Sequence, residues 1–132
     1  MKKGVTILED VAGSGPDVKP LFWYVISIRL HLSKGDLVKS PEKCLGATEF
    51  DHPKCVPPRV EDDGYYTSTI RHDRDFLRPG FRYALEGMKV NSYRKVQIAP
   101  HLAYGSEGIP GVIPQNALII AEIRVFDEIG GL

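Results

Sequence analysis

Residues 100 to 117 read PHLAYGSEGIPGVIPQNA. Pro100, Pro110 and Pro114, with Gly105, Gly108 and Gly111, exclude a regular helix or a central strand across this stretch. Leu102, Tyr104, Ile109, Val112 and Ile113 nevertheless make it too apolar for an ordinary solvated connection. Loops seldom spend that much apolar surface unless they cover something or are covered. The stretch reads as a functional loop, and its flanks define what holds it.

On its C-terminal side, residues 117 to 129 read as a closing strand with Ile119, Ala121, Ile123 and Val125 on one face. On its N-terminal side, residues 93 to 98 read as another strand, with Val96 and Ile98 inward. A short helix precedes it. Pro79 suits the first turn, Phe81, Leu85 and Met88 share one face, and Gly87 sits near the end. YYTSTI, residues 65 to 70, is aromatic and β-branched enough for a strand. Further upstream, ISIRLHLS (26 to 33) alternates, placing Ile26, Ile28, Leu30 and Leu32 on one side and Ser27, Arg29, His31 and Ser33 on the other. Gly35 then serves a turn, and Leu37-Val38 begin a returning strand. Between them, residues 40 to 64 contain Pro41, Pro53, Pro57 and Pro58 and close on Glu61-Asp62-Asp63, which predicts a long exposed insertion. Strands dominate around one helix. The class is α+β, an antiparallel sheet packed on a helix within a single domain spanning residues 1 to 132.

From GFRYALEGMKVNSYRKV through AYGSEGIPGVIPQNA to the last strand, residues 79 to 129 resemble the FKBP family of peptidyl-prolyl cis-trans isomerases. The resemblance implies a half-barrel of about five antiparallel strands wrapped around a short helix, with an apolar pocket between them. It assigns Phe81 to the pocket floor, where the family usually has tryptophan, and Leu77 to a lining position that is usually valine. Tyr104 keeps the hydroxyl that bonds a ligand carbonyl, while Ile109, Val112 and Ile113 form the loop wall and Leu102 flanks it. Tyr104, Phe81 and Ile113 are the residues implied for catalysis. Ile28, Arg78 and Ala121 depart from the family's tyrosine, isoleucine and phenylalanine. Two registers are open for the family's phenylalanine-aspartate pair: Val38-Lys39, or Phe50-Asp51 preceded by Gly46.

The function implied is isomerisation of X-Pro bonds in proline-containing polypeptides, assisting protein folding, weakened by the changed pocket and requiring no cofactor. Tacrolimus and rapamycin are the corresponding small ligands. The alternative is a non-catalytic binding module on the same fold, which the changes at Ile28, Lys39 and Ala121 favour. Seventeen basic and 17 acidic residues leave no excess charge for nucleic acid. The N-terminal apolar run breaks at Glu9-Asp10, short of a signal peptide, and no stretch approaches a membrane span. A cytoplasmic monomer with two free thiols, Cys44 and Cys55, is expected. Cys44, His52 and Cys55 fall short of a four-ligand metal pattern, and the mixed charged runs read as solvated loops rather than acid/base pairs.

Overall fold

The computed structural model describes residues 4–45, 53–73 and 77–131. Six strands form one antiparallel sheet: β1 (Val5–Val11), β2 (Phe22–Leu32), β3 (Arg59–Val60), β4 (Tyr66–Arg71), β5 (Ser92–Ile98) and β6 (Ile119–Gly131). Their order across the sheet is β1-β5-β6-β2-β4-β3. Among the described residues a single seven-residue helix, α1 (Pro79–Leu85), accompanies the strands, and 3-10 turns occupy Pro41–Lys43 and Pro100–Leu102. Among the described residues no helix is long and apolar enough to cross a membrane.

The alternation read in the sequence is what seats the sheet on its core. Ile26, Ile28 and Leu30 of β2 are at most 1% exposed, as are Val96 and Ile98 of β5 and Ile119, Ala121, Ile123 and Val125 of β6. In the β2–β6 ladder Ile28 faces Ile123 and Leu30 faces Ala121, which layers these side chains across neighbouring strands. Phe81, Ala84 and Leu85 of α1 and Met88 just beyond it close the same apolar cluster from the other side. Pro79 takes the first helical position, where a missing N–H costs nothing, and Gly87 turns the chain out with φ +80°.

The sheet has six strands rather than about five. β1 has no counterpart in the sequence reading; it pairs along β5 from Val5 opposite Ile98 to Val11 opposite Tyr93. Only one of its seven residues is buried, so the alternation that betrays an inner strand is missing. β2 begins at Phe22, four residues before the alternating run read from Ile26. The returning strand at Leu37-Val38 reduces to one bridge, His31 to Leu37, with Leu37 exposed. Residues 40 to 64 are not uniformly exposed: Pro41 and Leu45 are buried, and Arg59–Val60 forms the edge strand β3.

Candidate functional site

The 100–117 loop is shaped by its own backbone. The N–H of Ile109 donates to the carbonyl of Ile113 at 2.9 Å and the N–H of Ile113 returns the bond at 2.8 Å, folding IPGVI back on itself. Gly108 N–H donates to the Tyr104 carbonyl and Asn116 N–H to the Gly105 carbonyl, both at 2.9 Å. Gly108 sits at φ +61°, and a Cβ there would strike the carbonyls of Ile113 and Pro114, so the turn admits only glycine. The fold thereby drives Ile113 inward to 3% exposure and leaves Ile109 and Val112 half-buried around it.

Tyr104 projects from this loop toward α1. Its ring lies 6.2 Å from that of Phe81, tilted by 59°, within the range of favourable edge-to-face contacts. The Arg78 guanidinium stands 4.7 Å over the outer face of Tyr104. Arg78 itself is exposed at the N-cap of α1, whereas Leu77 beside it is buried. Leu77, Phe81, Tyr104, Ile113, Ile28, Val38 and Ala121 all belong to one apolar cluster, with Leu102, Ile109 and Val112 packed against it. The structure thus gathers these residues in one apolar cluster, while Arg78 stands outside it, Lys39 is exposed, and Phe50-Asp51 lie outside the described residues.

Little surface of these residues is open. Phe81 is 1%, Ile113 3% and Tyr104 4% exposed. The Tyr104 hydroxyl donates 2.9 Å to the backbone carbonyl of Cys44, in a segment read from sequence as solvent-exposed. Leu45, the next residue, is 6% exposed and part of the same cluster. Burial, and after it the neighbouring Cys44, push the Tyr104 phenol well above its ordinary range, so it remains a donor at any physiological pH. The sequence marks Cys44 only as a free thiol and an insufficient metal ligand, and it does not single out Leu45. The signal available was a lone leucine closing the polar run SPEKC.

Open space lies alongside. A groove of about 610 Å³ runs between Asp36–Ser40 and Gly111-Val112, with Val38 and Val112 on its walls and exposed Lys39 on its rim. It shares Leu32 and Asp36 with a second hollow of about 410 Å³ bounded by Pro114, Asn116 and Ala117. Gly46, Phe50, Asp51 and His52 lie outside the described residues. Among the described residues no three His, Cys, Asp or Glu side chains are grouped to hold a metal ion.

A second constellation, unread in the sequence, covers the opposite face of the sheet. Glu122 of β6 accepts from Arg29 Nε at 2.9 Å and Nη2 at 3.0 Å and from the Tyr93 hydroxyl at 2.9 Å, and its Oε1 lies 2.7 Å from His31 Nε2. Burial pushes this carboxyl up, but the bonds from Arg29, His31 and Tyr93 outweigh it and hold the pKa at about 2.

The comparisons agree with the geometry. A family model described as FKBP-type peptidyl-prolyl cis-trans isomerase matches residues 61–126. Peptidyl-prolyl cis-trans isomerase FKBP9 of Mus musculus is 50% identical over 51 residues, 39% of this chain and 9% of that protein. FK506-binding protein 1A of Neurospora crassa is 49% identical over 46 residues, 35% of this chain and 38% of that protein. The crystal structure of FkpA from Escherichia coli superposes with a TM-score of 0.63 at 24% identity, covering 96% of this chain and 52% of that one, a likeness of fold. The matches therefore take in about half or less of each relative's length.

Proposed function

We propose, since the chain belongs to the FKBP-type peptidyl-prolyl cis-trans isomerase family, that it catalyses rotation about X-Pro bonds in polypeptides and so assists folding. An X-Pro amide resists rotation by roughly 18–20 kcal/mol because twisting breaks its resonance. The twisted amide carries a less polar carbonyl than the planar one. A water-poor apolar cradle that holds the ring and its amide therefore favours the twisted state over the ground state without a nucleophile or cofactor. Phe81, Leu77 and Ile113 supply such a cradle, and Tyr104 anchors one carbonyl of the bound chain.

The observation that carries this reading is the acceptor Tyr104 has taken: a peptide carbonyl, seated 2.9 Å from its hydroxyl beside the Phe81 ring. The Tyr104 hydroxyl thus meets a backbone carbonyl beside an apolar wall, which is the contact the proposed reaction calls for. Ala121 stands in place of a pocket phenylalanine. Burial of such a side chain is worth about 1.5–3 kcal/mol, so a rate roughly 10- to 100-fold below that of a site with the full wall is expected.

A protease-free exchange assay on the peptide Ala-Leu-Pro-Phe tests the proposal. Catalysis above the spontaneous rate, lowered in Tyr104→Phe, is the expected result; the spontaneous rate alone overturns it. The second reading, a binding module without catalysis, is favoured by Ile28 and Ala121, and by exposed Lys39 in the register that pairs it with the family's aspartate. Tacrolimus or rapamycin binding without peptide exchange would support that reading instead.

A further inference from the structure

We infer that Pro41–Leu45 is a resident pseudosubstrate, occupying the proline site in the free protein so that X-Pro chains bind by displacing it. The inference rests on the isomerase reading of that site and concerns its regulation.

The segment is folded to present one carbonyl. In the 3-10 turn the N–H groups of Cys44 and Leu45 both donate to the Pro41 carbonyl, at 2.9 and 3.1 Å, and Lys43 N–H donates to Ser40 at 3.0 Å. The amides of Lys43, Cys44 and Leu45 are satisfied within the turn, and the Cys44 carbonyl is left for Tyr104. Among the described residues, that bond is the one hydrogen bond tying Pro41–Leu45 to the rest of the molecule beyond its own turn.

Glu42 and Lys43 stay exposed while Leu45 enters the core. With Tyr104 on the carbonyl that precedes the ring, Leu45 is the residue next in the chain, and it lies in the same apolar cluster as Phe81. The Cys44–Leu45 bond is a secondary amide, which disfavours the cis form far more than a prolyl bond does. The site thus holds a chain it can grip and cannot turn over.

Release is inexpensive in structure, because among the described residues the segment is tied down by one hydrogen bond and by the apolar contacts of Pro41, Cys44 and Leu45. The groove beside Ser40, bounded by Gly111 and Val112, gives an incoming chain a place to lie before the exchange.

Cys44 reports on the exchange. Burial, then Glu42, raise its thiol pKa to about 11. Displacement returns it toward the ordinary 9.0, which should speed its reaction with a disulfide reagent at pH 8 by roughly tenfold or more. The experiment uses the full chain carrying Cys55→Ser, with and without Leu45→Asp, and circular dichroism checks that both are folded. Leu45→Asp should free Cys44 and lower KM for Ala-Leu-Pro-Phe by about tenfold while kcat changes little. In the Leu45-containing protein, titrating the same peptide should itself accelerate Cys44 labelling, a readout that survives should the aspartate variant not fold.

Unchanged KM in a folded Leu45→Asp protein, or Cys44 labelling that peptide leaves constant or slows, overturns the pseudosubstrate while leaving the isomerase standing. A freed Cys44 with tighter peptide binding and no exchange in either protein upholds the pseudosubstrate and overturns the isomerase.

Discussion

Glu122 shows how one residue converts environment into pH dependence. It is 8% exposed, yet ionised, because Arg29, His31 and Tyr93 converge on it from β2 and β5. Its folded pKa, about 2, lies below the ordinary 4.5. A carboxyl whose pKa falls on folding contributes its full stabilisation above the unfolded value and loses it as pH drops toward the folded one. The stability of the protein should therefore decline between pH 4.5 and 2 by on the order of 3 kcal/mol from this group. Urea melts across that window check it. Glu122→Gln should be less stable at pH 7 and should flatten that part of the profile; an unchanged slope would show that other carboxyls carry it. Arg29 and His31 were legible as the outward side of β2, but their convergence on Glu122 needed β6 alongside, with Arg29 opposite Glu122 in the ladder.

Among the elements, α1 is positioned by closeness rather than by length. At seven residues it has too few turns to be stable alone, so its seat on β5 decides whether it forms. Gly80 is the contact point: a Cβ there would drive into the Ile98 side chain and stand 2.9 Å from the Leu102 carbonyl. Gly80→Ala should cost about 1–3 kcal/mol, read from chemical denaturation, because both neighbours belong to well-packed structure. It should also weaken the proposed isomerisation, since Phe81 is the next residue. At the other end of the helix, Arg94 of β5 donates to the carbonyls of Ala84 and Glu86 and pairs with Asp10 of β1 at 3.1 Å. An arginine at 5% exposure replaces a capping residue and joins three elements.

For the whole molecule, connectivity sets the pace of assembly. β1 pairs with β5 and β2 with β6, so Val5 meets Ile98 and Phe22 meets Gly131. Almost all of the sheet joins segments distant in sequence, and loops must close before any of those contacts form. Folding followed through the fluorescence of the single tryptophan, Trp23, should take on the order of milliseconds to seconds. A microsecond phase accounting for the full signal would contradict this topology.

By itself, the chain's own pattern determined which segments turn inward. Period-two alternation marked the inner faces of β2, β5 and β6, Pro79 and Gly87 bracketed α1, and the glycines and prolines of residues 100 to 117 marked the loop that carries Tyr104 and Ile113. Such signals are local, set by backbone sterics and by the spacing of apolar residues. Tertiary structure alone decided the rest. β1 exists because β5 offers it an edge, although six of its seven residues face solvent. Leu45 is core and the Tyr104 hydroxyl is engaged because the polar segment that ends in Leu45 folds across Tyr104, 60 residues from Cys44 in the chain. Burial of a lone leucine depends on what lies opposite it in space, and no neighbour in sequence records that.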